Sequence, residues 1–318
     1  MAYTLMFYNL ENLYDTFDDP TTDDDDFTPM GDKRWTRDKY LKKLSNLSEI
    51  FSAVSSAHNG FPVVAGVSEV ENLKVLQDLA AQKRMAGAHY KCIHFESNDA
   101  RGVEVGMLYR PDKFTLMGCE PIKLELRSGR EYIGRDILSA WGEIDGEMFA
   151  FYVCHFPSRR GDKGQDLRAR AAEIVYNHAL QMQQKYPGIK CIVMGDMNDN
   201  PADASLSQYL HGRRNVADVK KGDFFNPFWE MLDNGIGSLY YRGNPNIFDC
   251  ILVSDALVNG KGLKIKKQSN KYYGTVYSKP YMTQQSGQYK GLPHRTFSNG
   301  KFINGYSDHY PTFILLSK

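Results

Sequence analysis

Apolar residues in this chain fall into short, dense runs bounded by Gly, Pro, Asn and Asp, the length and setting expected of buried strands. The runs lie at Tyr3–Tyr8, Pro62–Val67, Val103–Tyr109, Phe114–Leu116, Ile137–Trp141, Phe149–Cys154, Lys190–Met194, Phe248–Val253 and Thr312–Leu316. Three segments between them switch to helical spacing. Leu41, Leu44, Leu47, Phe51 and Val54 share one face, and Leu73, Leu76, Leu79 and Ala80 share another. A third helix is expected from Gln165 to Lys185, with Leu167, Ala171, Ile174, Val175, His178 and Met182 inward.

Strands outnumber helices, and several follow one another directly, so the pattern favours a mixed α/β sheet assembly over strict alternation. Two sheets packed together with helices outside satisfy it. No repeat or linker interrupts the pattern, so one domain is expected across residues 1–318. Two stretches lack periodicity. Asp15 to Lys33 contains Asp23-Asp24-Asp25-Asp26 and reads as a solvated acidic loop, because the spaced ligands and glycine of an EF-hand are missing. Gln268 to Tyr306 is rich in Tyr, Gly, Lys and Ser, and reads as a substrate-facing wall.

Composition narrows the classes. The 318 residues are 42% apolar, enough for a full core, and the net charge of +1 argues against a general nucleic-acid coat or a membrane-surface protein. A local basic rim stays compatible with that balance. No run reaches the roughly 18 apolar residues of a transmembrane segment. Met1-Ala2 leads straight into a core strand without a secretory signal, so the expected location is cytoplasmic, or secreted with a signal already removed. The five cysteines, at 92, 119, 154, 191 and 250, form no CxxC pair and read as small buried hydrophobes in a reducing compartment.

The chemistry gathers at strand ends. Gly195-Asp196-Met197-Asn198-Asp199 places a carboxylate and an amide just after an apolar run, and residues two apart in extended chain point the same way. Asn9 and Glu11, Glu69, His155, Asp249, Asp308 and His309 sit in the same kind of position. Each alone has an ordinary structural use as a cap, a core histidine or an ion-pair partner. Together at one sheet edge they cost free energy unless they are paired or bind a charged ligand.

Six blocks carry a resemblance: Asn9-Leu10-Glu11, Glu69 in Val67-Ser68-Glu69-Val70-Glu71-Asn72, His155-Phe156-Pro157-Ser158, Gly195-Asp196-Met197-Asn198, Phe248-Asp249-Cys250-Ile251-Leu252-Val253 and Ser307-Asp308-His309-Tyr310-Pro311. In content and order the chain resembles the endonuclease/exonuclease/phosphatase superfamily, which includes deoxyribonuclease I. The resemblance implies a four-layer α/β sandwich, two packed mixed β-sheets flanked by helices. It also implies a divalent-metal-dependent phosphoesterase.

A phosphodiester repels an incoming hydroxide and needs help to release an alkoxide, so a hard cation and positioned donors are required. Mg²⁺, with Mn²⁺ as a substitute, suits an oxygen set of Glu69 with Glu11 and Asp308. By resemblance, Asp196 activates or orients the water, Asn198 and Asn9 contact substrate, and His309, paired with Asp249, flanks the phosphate with His155. Glu104 is the implied carboxylate partner of the second histidine. Arg135 occupies a place where family members contact phosphate, and Arg159 and Arg160 offer two forked guanidiniums.

The leading expectation is a nuclease acting on a phosphodiester substrate, including nucleic acid. The alternative is a phosphatase or phosphodiesterase for a small phosphorylated molecule or lipid head group. A non-catalytic binding module ranks last, because Glu69, Asp196, Asn198, Asp249, Asp308 and His309 are all present. Arg159, Arg160, Lys163, Arg168 and Arg170 are the candidates for a basic rim, and the Tyr272-to-Tyr289 stretch for stacking on bases or sugar.

Overall fold

The apolar N-terminal run becomes β1 (Ala2–Leu13), which lies between neighbours on both sides and is almost wholly buried. The computed structural model describes residues 2–58, 60–130, 132–159, 164–241, 243–268 and 271–318. After β1 come α1 (Arg37–Ala57), β2 (Val64–Val70), α2 (Leu73–Ala80), β3 (Lys91–His94) and β4 (Glu104–Tyr109). A second group follows: β5 (Thr115–Ile122), β6 (Ile137–Ile144), β7 (Glu147–His155), α3 (Gly164–Lys185), β8 (Lys190–Asp196), β9 (Gly212–Arg213), β10 (Phe224–Phe225) and α4 (Trp229–Asp233). The chain continues through β11 (Leu239–Tyr241), β12 (Asn244–Asn246), β13 (Asp249–Ser254), α5 (Asp255–Val258), β14 (Lys264–Lys266) and β15 (Gly274–Val276). It ends with the hairpin β16 (Phe297–Ser298) and β17 (Lys301–Phe302), then β18 (Thr312–Ser317).

Two seven-stranded sheets result. One runs β14-β18-β1-β2-β4-β3, with β15 also on β18; the other runs β5-β6-β7-β8-β13-β10-β9. Both are mixed, since β1–β2 and β7–β8 are parallel while most other pairs are antiparallel. Each of these parallel pairs is joined by a long helical crossover, α1 or α3. The inner faces share one hydrophobic core, with α2 against β3 and β4 and α3 against β7 and β8. This is the four-layer sandwich expected from the sequence. All nine expected strands are present, and no helix among the described residues is long and apolar enough to cross a membrane.

Helix orientation differs in detail. Leu41 and Leu73 were expected inward but are 44% and 39% exposed. In α1 Leu44, Leu47, Phe51 and Val54 are buried as expected, and Tyr40 and Lys43 join that face, Lys43 turning in to a buried carboxylate. In α3, Leu167, Ile174 and His178 are only half-buried, while Ala169, Ala172, Val175 and Ala179 form the contact. Small side chains let the helix lie close on its sheet. The 268–306 stretch is less irregular than its composition suggests, since it carries β15 and the β16–β17 hairpin. In the acidic loop, Asp24 is buried and accepts from the Asp19 N–H at 3.2 Å, whereas Asp25 and Asp26 are exposed.

The sheets approach closely where β2 crosses β7 and β8. A Cβ on Gly66 would lie 2.6 Å from Met194 Sδ and 3.1 Å from Val153 Cγ1 of the opposite sheet. Gly66→Val is therefore expected to destabilise by about 1–3 kcal/mol through overpacking. Urea midpoints should show this loss partly recovered in the Gly66→Val, Met194→Ala pair; strictly additive losses would show that the two sites do not meet.

Candidate active site

Register assembles the first half of the site. In the second sheet, Asp196 pairs with His155 of β7 on one side and with Asp249 of β13 on the other. Cross-strand partners share a face, so these three side chains stand in a row at the ends of adjacent strands. The row faces the first sheet, and Asn9 Nδ2 of β1 donates to Asp196 Oδ2 at 3.0 Å.

The second half comes from distorted strand ends. The β1–β2 ladder shifts register between Asn9 and Leu13, and the β2–β4 ladder between Ser68 and Val70. At these breaks Glu11, Asn12 and Glu69 adopt φ of 52°, 51° and 59°, and after β8 Asn198 adopts 50°. Left-handed backbone disfavours L-residues by roughly 1–2 kcal/mol each, so the surrounding strands hold it in place. Such bulges re-aim side chains, here Glu69 to within reach of His309 and Glu11 toward Asp308.

His309 precedes β18 and closes the group. Its Nδ1 donates to Asp249 Oδ2 at 2.8 Å, while its Nε2 lies 3.9 Å from Asp196 Oδ2 and 3.9 Å from Asp308 Oδ1. Asp249 Oδ2 also accepts from Ser238 Oγ at 2.5 Å. Burial alone would lower the His309 pKa, but Asp249, then Asp196 and Asp308, hold it well above the ordinary value, which favours the protonated ring. His155 is the opposite case. Burial, helped by Arg135, Arg101 and His309, drives its pKa well down, leaving a neutral ring 3.7 Å from Asp196. Burial pushes Asp196 up to about 6, against the pull of His309.

The carboxylates on the first sheet are held by cations. Glu69 accepts from the Asn12 N–H at 2.9 Å and lies 3.3 Å from Arg101, and Arg101 with Arg135 outweighs burial to keep its pKa low. Glu11 accepts from the Thr296 N–H at 2.7 Å and from Arg295 Nε at 3.2 Å, with Lys43 at 3.6 Å. Arg295 reaches on to Asp308 Oδ2 at 2.8 Å. Burial, then Asp308, raises the Glu11 pKa. Among the described residues, the group of three whose donor atoms all lie within 4.8 Å is Asp196, Asp249 and His309. Asp308 lies beside it, Glu69 is near enough to act on His309, and Glu11 is connected to it through Asp308.

The arginines expected at the substrate are placed differently from one another. Arg135 lies near enough to act on Glu69, Glu104 and His155, and forms an ion pair with Asp99 at 3.4 Å. Arg159 donates to Asn198 O at 2.8 Å and to Asp199 at 3.1 Å, pairs with Asp203, and lies over the Phe248 ring at 4.6 Å. It braces the loop that carries Asn198. Arg168 departs from the rim reading: it is 6% exposed and paired with Asp199 at 2.8 Å. Arg160 and Lys163 lie outside the described residues. Asn198 bonds within its own loop, with its N–H on Asp196 Oδ1 at 3.0 Å and Nδ2 on Phe156 O at 2.9 Å.

The pairing expected between Glu104 and the second histidine is not formed. Glu104 accepts from Ser97 Oγ at 2.6 Å, while His155 Nδ1 has no hydrogen-bond partner among the described residues. Arg101, Arg295 and Lys43 escaped sequence reading altogether. Arg101 and Arg295 sit in loops whose neighbours show no periodicity, and Lys43 lies in a helix face defined by apolar residues.

A carboxylate–imidazole row facing carboxylates across a sandwich edge defines a metal-assisted phosphoesterase of the two-sheet α/β type. The chain belongs to the endonuclease/exonuclease/phosphatase family, whose model matches residues 4–318. The family comprises divalent-metal-dependent hydrolases of phosphate esters. Among solved structures, the fold is similar to mannosyl-6-phosphatase of Bacteroides thetaiotaomicron at 15% identity and TM-score 0.60, covering 99% of this chain and 100% of that one. It is similar to D. rerio TDP2 complexed with single-strand DNA product at 15% identity and TM-score 0.56, covering 100% and 99%. The human Nocturnin catalytic domain gives 12% identity and TM-score 0.58, covering 99% and 94%. No curated protein sequence matches the chain.

Glu104 supplies a stability test. Burial pushes its pKa from 4.5 up to about 7, so between those values the folded state holds a proton that the unfolded state has lost. This contribution favours folding at low pH and disappears as pH rises through 7. Glu104→Gln keeps the acceptor for Ser97 without the charge. Urea midpoints measured from pH 5 to 8 should fall less steeply in this variant than in the parent; parallel curves would show that Glu104 does not carry the effect.

Proposed function

We infer that the protein is a Mg²⁺-dependent nuclease or phosphodiesterase, in which Asp196 handles the proton of the attacking water and His309 faces the phosphate. The observation that carries this reading is the Asp249–His309 pair aimed at Asp196 across the two sheets. With Nδ1 on Asp249, His309 turns Nε2 toward Asp196 and Asp308, and there it serves as a donor toward the non-bridging oxygens. Asp249 and Ser238 fix its orientation. His155, neutral and with one ring nitrogen unpaired, offers a second contact. Asn9 holds Asp196, and Asn198, with its loop braced by Arg159, presents the amide hydrogen not bonded to Phe156 O.

The donor set fits a hard divalent ion, because the groups around this edge are carboxylates and the nearby Cys154 and Cys250 thiols are pushed up by burial, far from a thiolate. Glu69 and Asp308 would hold Mg²⁺, or Mn²⁺ in its place. The ion would supply charge for the phosphate oxygens. Glu11, whose oxygens already accept from Thr296 and Arg295, orients Arg295 and Asp308 from behind. Arg135, set beside Glu69 and His155, is assigned to the substrate phosphate.

A second reading, a phosphatase for a small phosphate ester, is favoured by the guanidiniums that line the edge, since Arg101, Arg159 and Arg295 are bound to carboxylates instead of forming an open basic groove. Hydrolysis of plasmid and single-stranded DNA beside small mono- and diesters separates the readings. Asp196→Asn and His309→Ala are each expected to lower turnover at least about a hundredfold with folding intact. Turnover near the parent level would remove that residue from the mechanism. Activity confined to small monoesters would establish the second reading. In a separate titration, Glu69→Ala should shift the Mg²⁺ requirement upward at saturating substrate; an unchanged requirement would take Glu69 out of the metal site.

A further inference from the structure

Beside Asp308 and Arg295 lies a partly open cleft of about 90 Å³, room for one flat ring and not for a whole drug-sized ligand. Its walls are Leu239, Tyr240, Tyr289, Leu292, Pro293 and Ile303, and its uncharged polar side chains are Gln284 and Ser298. Both walls are tied to the active site. Leu239 and Tyr240 follow Ser238, which bonds Asp249 and, through its carbonyl, the Tyr310 N–H at 2.6 Å. The other wall leads into Arg295, bonded to Glu11 and Asp308. It is held in shape by the Gln284 N–H on Leu292 O at 2.8 Å and the His294 N–H on Met282 O at 2.7 Å.

Resting on the nuclease reading above, we propose that this cleft receives the base of a terminal nucleotide, with Arg295 directed at the adjoining phosphate. The bonds to Glu11 and Asp308 occupy two of the five N–H groups of Arg295, leaving the guanidinium at the junction between cleft and His309 able to donate further. Flat apolar walls with two tyrosines suit the face of a purine or pyrimidine, and Gln284 and Ser298 suit its polar edge. A bare sugar fits poorly, since its ring of hydroxyls would lie against aliphatic carbon with few partners. The nucleotide reaches the cleft either free or as the end of a strand.

Calorimetric binding of deoxyadenosine monophosphate and deoxyribose phosphate to the full-length Asp196→Asn protein tests this without turnover. The nucleotide should bind at least about tenfold more tightly, and Tyr289→Ala or Tyr240→Ala in that background should bring the ratio toward one. Equal binding, or tighter binding of the sugar phosphate, overturns the proposal. The source is read with the unmutated catalytic residues, on single-stranded oligonucleotides whose terminal residue carries or lacks a base. Faster cleavage of the base-bearing end assigns strand ends; base-dependent binding without that difference assigns free nucleotides. Absence of hydrolysis on every substrate would defeat the nuclease reading while leaving the binding ratio to decide the cleft.

Discussion

The 2.8 Å hydrogen bond between His309 and Asp249 joins the two halves of this molecule at the edge where its chemistry gathers. Asp249 begins a strand of one sheet, and His309 precedes a strand of the other. The bond therefore holds only while the sheets keep their spacing, which Gly66 permits by letting β2 lie close to Met194 and Val153. Asn9 to Asp196 is a second link across the same gap. Burying an unpaired ion is costly, whereas these groups are buried as partners, so core and site stabilise one another.

Environment separates residues of identical type. Carboxylates around His309 raise its pKa; burial, with two arginines added, lowers that of His155, on the next strand but one from Asp249. Glu69 is held low by Arg101 and Arg135, while Glu11 and Glu104 are raised by burial. Pairs of like groups driven apart in this way allow one edge to present an acid and a base together.

The two packed sheets, the nine principal strands and the row His155, Asp196 and Asp249 were legible because apolar runs mark strands and a polar residue ending such a run has no packing role. Arg295, Arg101 and Lys43 were not, since nothing in the spacing of a loop or helix tells which cation folds back on a distant carboxylate. The Glu104 assignment failed for a related reason: Ser97, only seven residues away, supplies a local partner that sequence order does not rank above a remote histidine. Helix faces were legible in their centres, as Leu44, Leu47, Leu76, Leu79 and Val175 are buried, and less so at their margins, where small side chains or a buried ion pair made the contact.

Among the described residues, the arginines at the edge are already paired: Arg101 with Glu69, Arg135 with Asp99, Arg159 with Asp199 and Asp203, Arg168 with Asp199, and Arg295 with Glu11 and Asp308. Pairing of this kind cancels much of the field that these guanidiniums would otherwise send into solvent. A polyanion then gains small long-range guidance toward the edge, and its rate of encounter depends only weakly on ionic strength. Discrimination among phosphate esters falls to contacts made after arrival.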